Sequence, residues 1–150
     1  MIEPTLRPAS AHDSDFCFKL HEAAMGEVVM TIWEWDPVVQ RHYHDRWFVP
    51  DHLQIVVAQG QDIGALAVDR NPGELYLGRI EILPAWQGRG IGRWLIRQLA
   101  DEARHDRKSL TLDVLVANTR AVMLYRELGF REVMRHGENS LKIRMQLEFE

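Results

Sequence analysis

Apolar and polar positions alternate along this chain in blocks, and the period of the alternation changes from block to block. Near the C-terminus Leu141, Ile143, Met145, Leu147 and Phe149 alternate with Lys142, Arg144, Gln146 and Glu148. That period of two predicts a strand over residues 140–149 with one buried face. Leu110, Leu112, Val114 and Val116 repeat the pattern. Residues 53–59 and 63–69 are β-rich runs around Gly60-Gln61-Asp62, which reads as a hairpin. Asn71-Pro72-Gly73 turns the chain into a further strand over 74–83, and Thr5–Pro8 predicts a short first one.

Elsewhere the period lengthens. Ile91, Leu95, Ile96, Leu99, Ala100 and Ala103 form one stripe at helical spacing, predicting a helix over about 90–105. Asn118 as cap and Gly129 as stop bracket another, over about 119–128. Asp36, followed by Pro37 at the first helical position, starts a helix over 37–47. Asp13 or Ser14 caps one over about 15–24, while residues 28–35, crowded with large side chains, fit neither period. A final pair of strands, 130–135 and 140–149, flanks a His136-Gly137 turn. The predicted order is β-α-α-β-β-β-α-β-α-β-β, an α/β chain forming a single domain over 1–150.

Composition narrows the functions open to such a chain. With 46% hydrophobic and 27% charged residues it is a folded domain rather than a disordered one. A net charge of −4 argues against a nucleic-acid binder that works by bulk electrostatics. No apolar run approaches the ~18 residues of a membrane span, and no signal-like segment opens the chain. Cys17 is the single cysteine, so no internal disulfide or cysteine metal cluster forms, and it reads as a buried inert thiol. A cytoplasmic location is the expectation. His42 and His44 alternate instead of standing four apart, so no metal site is expected, and all the histidines read as ordinary surface residues.

The most chemically loaded stretch is Gln87-Gly88-Arg89-Gly90-Ile91-Gly92, placed between a predicted strand and a predicted helix. A glycine-dense turn there leaves backbone N–H groups unpaired at the positive end of the helix dipole, a seat for phosphate. Arg89 and Arg93 add charge suited to a pyrophosphate. The glycines at 88, 90 and 92 miss the G-x-G-x-x-G spacing of a dinucleotide turn, and no Lys-Ser/Thr follows as a P-loop requires. What remains is Gln/Arg-x-x-Gly-x-Gly, filled by Gln87, Gly90 and Gly92.

Placed after Ile80-Glu81-Ile82-Leu83-Pro84, that pattern resembles the pyrophosphate loop of the GCN5-related N-acetyltransferases (GNAT). A second matching segment runs through Asn118, Ala121 and Leu124-Tyr125-Arg126-Glu127-Leu128-Gly129-Phe130, so the similarity spans residues 74–130. Trp33-Glu34-Trp35-Asp36 resembles a segment found in small bacterial, single-domain members. The resemblance implies a mixed, mostly antiparallel central sheet flanked by helices, and acetyl-CoA as cofactor. It also implies an N-acetyltransferase in which an amine attacks directly, with no acyl-enzyme.

Residue roles carry over by position. Tyr125 matches the family's proton donor to the departing sulfur, although its place on an apolar helix face also suits plain packing. Ile82 is placed to polarise the thioester carbonyl through its backbone N–H, with Leu83 beside it. Gln87, Gly88, Arg89, Gly90, Ile91, Gly92 and Arg93 would hold the pyrophosphate, and Asn118 the pantetheine arm as well as its helix. For the base, Glu81 is preferred and Asp113 is the rival. Arg79, two residues from Glu81 on the same strand face, could make it a surface ion pair. Trp33 and Trp35 would wall the acceptor pocket or serve as core. The expected acceptor is a small-molecule amine. A protein or peptide amine and a catalytically idle CoA-binding module are the alternatives. The alternating last strand is a possible homodimer edge.

Overall fold

The computed structural model describes residues 2–149. Seven strands hydrogen-bond in the order β1-β2-β3-β4-β5-β7-β6: β1 Thr5–Pro8, β2 Gln54–Ala58, β3 Gln61–Arg70, β4 Glu74–Ile82, β5 Ser109–Leu115, β6 Arg131–His136 and β7 Lys142–Leu147. The helices are α1 Ser14–Met30, α2 Pro37–Trp47, α3 Ile91–His105 and α4 Thr119–Glu127. β4 pairs β5 in parallel; β1/β2, β2/β3, β5/β7 and β6/β7 are antiparallel. The predicted order of elements and the mixed, mostly antiparallel sheet are both observed.

The chain gathers into two compact units, and β3 and β4 contribute residues to each. One holds the chain up to Ala67 together with Arg79–Gly92. Its core is Cys17 and Leu20 from α1 against Leu53, Ile55 and Ala65, with Phe16, Trp47, Phe48 and Leu83 packed around them. Two residues with positive φ, Gln59 and Gly60, make the β2–β3 turn, which is shorter than the three-residue turn the sequence suggests. Asp36 caps α2 as expected, its carboxylate accepting from Val38 N and Val39 N. α1 begins near the predicted place but runs on to Met30. Asp13 precedes it without capping it, because its carboxylate is held by Arg7 at 2.8 Å and by Ser10 N at 2.8 Å.

The other unit holds Val68–Gly78 and the chain from Arg93 onward. Leu95, Ile96, Leu99 and Ala103 of α3 are buried, as are Leu110, Leu112 and Val114 of β5 and Ile143 and Met145 of β7. Asn118 Oδ1 accepts from Ala121 N at 3.4 Å to cap α4, and Gly129, at φ 101°, ends it. β7 lies between β5 and β6. This corrects the expectation that the last strand offers a free edge: β6 is the edge strand at that end of the sheet, and Arg131, Glu132 and Arg135 stud it with charge. No helix among the described residues is long and apolar enough to cross a membrane.

Candidate active site

In the first unit, β4 ends against the glycine loop. A single helical turn, Pro84–Trp86, follows the strand, and the Gln87 side chain reaches back to donate to the Ile82 carbonyl at 2.8 Å. Leu83 N donates to Ile63 O at 2.8 Å, so that N–H is already spent within the sheet. Gly88 and Gly90 sit at φ 76° and 83°, in the left-handed region that favours glycine. Gly92 is different. Its φ is ordinary for a helix, and a Cβ added there would meet nothing. Neither conformation nor packing asks for glycine at 92, where alanine would suit the helix better. Its absence of a side chain keeps the first turn of α3 open to a group approaching its N–H donors.

These features fit the pyrophosphate of acetyl-CoA, which the backbone N–H groups around Gly88, Gly90, Ile91 and Gly92 would hold. The arginines have local partners. Arg89 lies over the Trp86 ring, 4.8 Å from its centroid. Arg93, in the second unit, donates to Glu127 at 2.8 Å, so it faces a carboxylate rather than standing clear as a phosphate ligand.

Glu81, near the end of β4, is buried, with a relative exposure of 6%. Its Oε2 lies 2.6 Å from His21 Nδ1 on α1, and its Oε1 accepts from Arg79 Nη1 at 3.1 Å. Burial pushes this carboxyl up, but the His21 contact and the Arg79 charge outweigh it and hold the group below the usual carboxylate range. Arg79 is itself fixed, its guanidinium 3.6 Å from the centre of the Trp47 ring. The same-strand pair with Arg79 is therefore present, but Glu81 is buried rather than part of a surface ion pair, and the pair is half of the arrangement. Gly64 of β3 makes room for it, since a Cβ there would collide with the Glu81 carbonyl oxygen. His21 and Gly64 are the residues that sequence reasoning passed over. His21 follows Cys17 by four positions on the core-facing stripe of α1, which is the only local sign of it.

Trp35 and Trp33 diverge. Trp33 is exposed, whereas Trp35 lies 6.2 Å from the His21 ring and its buried Nε1 has no hydrogen-bond partner. Of the histidines, His12, His42, His52 and His105 are exposed as expected, whereas His44 departs from that reading. His44 is buried among Phe18, Trp47 and Phe48 with Ser14 Oγ at 2.9 Å, and burial lowers its pKa. It is a core residue because α2 turns it inward. Cys17 is fully buried, and burial pushes its thiol up to about 12, which matches the inert reading. No group of three metal-ligating side chains occurs among the described residues.

The second unit carries Tyr125, Asn118 and Asp113. Tyr125 is 8% exposed, its ring 5.7 Å from Phe130, and burial pushes its phenol up to about 12. Its hydroxyl has no hydrogen-bond partner among the described residues. Asp113 is surrounded: Tyr76 OH donates at 2.7 Å, Arg144 at 3.0 and 3.2 Å, and His136 Nε2 lies at 2.6 Å. Burial raises this carboxyl, yet its donors prevail and hold it far below the usual range. A carboxylate so satisfied is a poor proton acceptor, which weighs against Asp113 as the base.

The acetyltransferase (GNAT) family model matches residues 15–130. The chain is 45% identical over 62 residues to N-alpha-acetyltransferase RimI of Mycobacterium tuberculosis, covering 41% of this chain and 38% of that one. It is 34% identical over 98 residues to mycothiol acetyltransferase of Jonesia denitrificans, covering 60% of this chain and 31% of the relative. The matches thus span about a third of the length of these curated relatives. Among solved structures, PaiA N-acetyltransferase of Thermoplasma acidophilum in complex with coenzyme A shares the fold. Its TM-score is 0.79 at 13% identity, over 97% of this chain and 99% of that one. With the glycine loop formed at the end of β4 and the family model matching most of its length, this chain belongs to the acetyltransferase (GNAT) family, whose acetyl donor is acetyl-CoA.

Proposed function

We propose that the protein transfers the acetyl group of acetyl-CoA to a primary amine of a small molecule by direct attack. Bound acetyl-CoA supplies the thioester: its acetyl C–S bond breaks as a C–N bond forms to the amine, and CoA leaves as the thiol. Tyr125 protonates the sulfur as it departs. The observation that carries this role is a phenol both buried and without a protein partner. A pKa near 12 keeps it protonated at neutral pH, as a proton donor must be. Asn118 orders the start of α4, one of whose residues is Tyr125, and its side chain is proposed to contact the pantetheine arm.

Glu81 supplies the negative charge for removal of the acceptor's proton. A free alkyl amine arrives as an ammonium, its pKa near ~10.4, so such a group is required. The Ile82 backbone N–H is assigned to the thioester oxygen, a contact worth roughly 3–4 kcal/mol in other acyl transferases. Trp35, its ring near that of His21, suits a wall that contacts the acceptor, and exposed Trp33 would extend it. An aromatic wall favours a compact amine over a peptide. RimI, an N-alpha-acetyltransferase by name, keeps the peptide amine as the second reading.

The test is thiol release from acetyl-CoA over polyamines, aminoglycosides, amino acids and short peptides, with the acetylated product identified by mass. Release with small amines and little with peptides is expected. The reverse would transfer the proposal to a peptide acceptor. Acetyl-CoA binding without release on any amine would leave only a CoA-binding module.

A further inference from the structure

The contacts of His21 go beyond an ion pair, and they deepen the acetyltransfer reading on which this inference rests. His21 Nδ1 lies 2.6 Å from Glu81 Oε2 and 2.8 Å from Arg79 Nη1. One ring nitrogen cannot donate to the first and accept from the second at the same time. Arg79 only donates, and it has Glu81 Oε1 at 3.1 Å as an alternative acceptor. An ionised carboxylate only accepts, so the shorter contact requires hydrogen on Nδ1. The neutral ring is then the tautomer whose lone pair is on Nε2. That nitrogen has no protein partner among the described residues, and the side chain is 22% exposed against 5% for Glu81. Both Glu81 oxygens are engaged, which leaves the carboxylate badly placed to meet an amine itself.

We propose that His21 Nε2 is the general base that takes the acceptor's proton, with Glu81 as the positioning residue that fixes the ring's tautomer. In that step an N–H bond of the ammonium breaks and leaves its electron pair on nitrogen as the attacking lone pair. A new N–H bond forms at Nε2. Glu81 stabilises the resulting imidazolium, which returns the proton to solvent. The Trp35 ring lies 6.2 Å from that of His21. The titratable and charged groups facing His21 are Glu81 and Arg79 from β4 and His44 from α2, with Cys17 one turn earlier on its own helix.

Two measurements test this. Nitrogen NMR of the free protein, with His21→Gln for assignment, reads the tautomer without any acceptor; Nδ1–H with bare Nε2 is expected. The pH profile of kcat/KM for the best amine of the panel reads the role. His21→Gln should lower kcat/KM about hundredfold near neutrality and replace the wild-type acid limb by a rise that follows only the amine's own ionisation. The deficit should shrink toward about pH 10, where the amine sheds its own proton. Glu81→Gln should keep the limb but move it to lower pH, because the imidazolium loses its counter-charge. The wild-type acid limb kept in His21→Gln and lost in Glu81→Gln would make Glu81 the base and overturn the proposal. An equal loss at every pH would reduce the pair to a tie between α1 and β4 and would also overturn it. Hydrogen on Nε2 in an active enzyme contradicts this inference alone, whereas an enzyme that acetylates no amine sinks the acetyltransfer reading.

Discussion

Replacing the Tyr125 hydroxyl by hydrogen isolates its chemistry from its packing. The ring stays against Phe130 and no protein hydrogen bond is lost, so stability should move by less than about 0.5 kcal/mol. Turnover should fall at least tenfold, within the roughly 10²–10⁴ span of a positioned acid, while acetyl-CoA affinity holds. Steady-state kinetics and calorimetric titration of Tyr125→Phe check both halves; wild-type turnover in the variant would remove Tyr125 from the mechanism. Asp113 stands in contrast. Both are tucked into the second unit, but Asp113 has several donors and the Tyr125 hydroxyl has no partner, and that difference separates a structural polar group from one left for a ligand.

At the scale of elements, the close approach of β3 and β4 holds Glu81 in place. Gly64→Ala would drive a methyl group into the Glu81 backbone oxygen, and backbone cannot swing aside as a side chain can. Overpacking of this kind costs about 1–3 kcal/mol. Chemical denaturation should show that loss, and activity should fall with it because Glu81 is displaced; unchanged stability would mean the strands separate without cost. Element by element, legibility followed how local the cause was. Asp36 and Pro37 start α2 through neighbours two and three residues away, and the α3 stripe repeats within a few turns, so both were readable. The sequence pattern ends α1 at about residue 24, because residues 28–35, crowded with large side chains, fit neither period. The folded protein carries the helix on to Met30 by burying Gly26 and Val29, a tertiary effect. The His21–Glu81 contact joins residues 60 positions apart, and no periodicity reports such a pairing. The edge of the sheet was misplaced for the same reason: alternation marks β7 as half-buried, but only its pairing to both β5 and β6 makes it interior.

For the molecule as a whole, each compact unit carries its own set of these residues. The first holds the glycine loop, Glu81 and His21; the second holds Asn118 and Tyr125. The glycine loop is proposed to select the donor, and the aromatic neighbours of His21 to contact the acceptor. Residues 87–92 are proposed to hold the pyrophosphate of acetyl-CoA, and Gly92 is the position where ligand and fold want different residues. Gly92→Ala should leave the fold intact or stabilise it by about 0.5 kcal/mol, since alanine is the better helix former. The most direct test is KM for acetyl-CoA against KM for acetyl-pantetheine, which lacks the pyrophosphate, in wild type and Gly92→Ala. A wild-type preference for acetyl-CoA of about hundredfold or more, about 2.7 kcal/mol, is expected, narrowing sharply in the variant. Equal KM values for the two donors in the wild-type protein would contradict it.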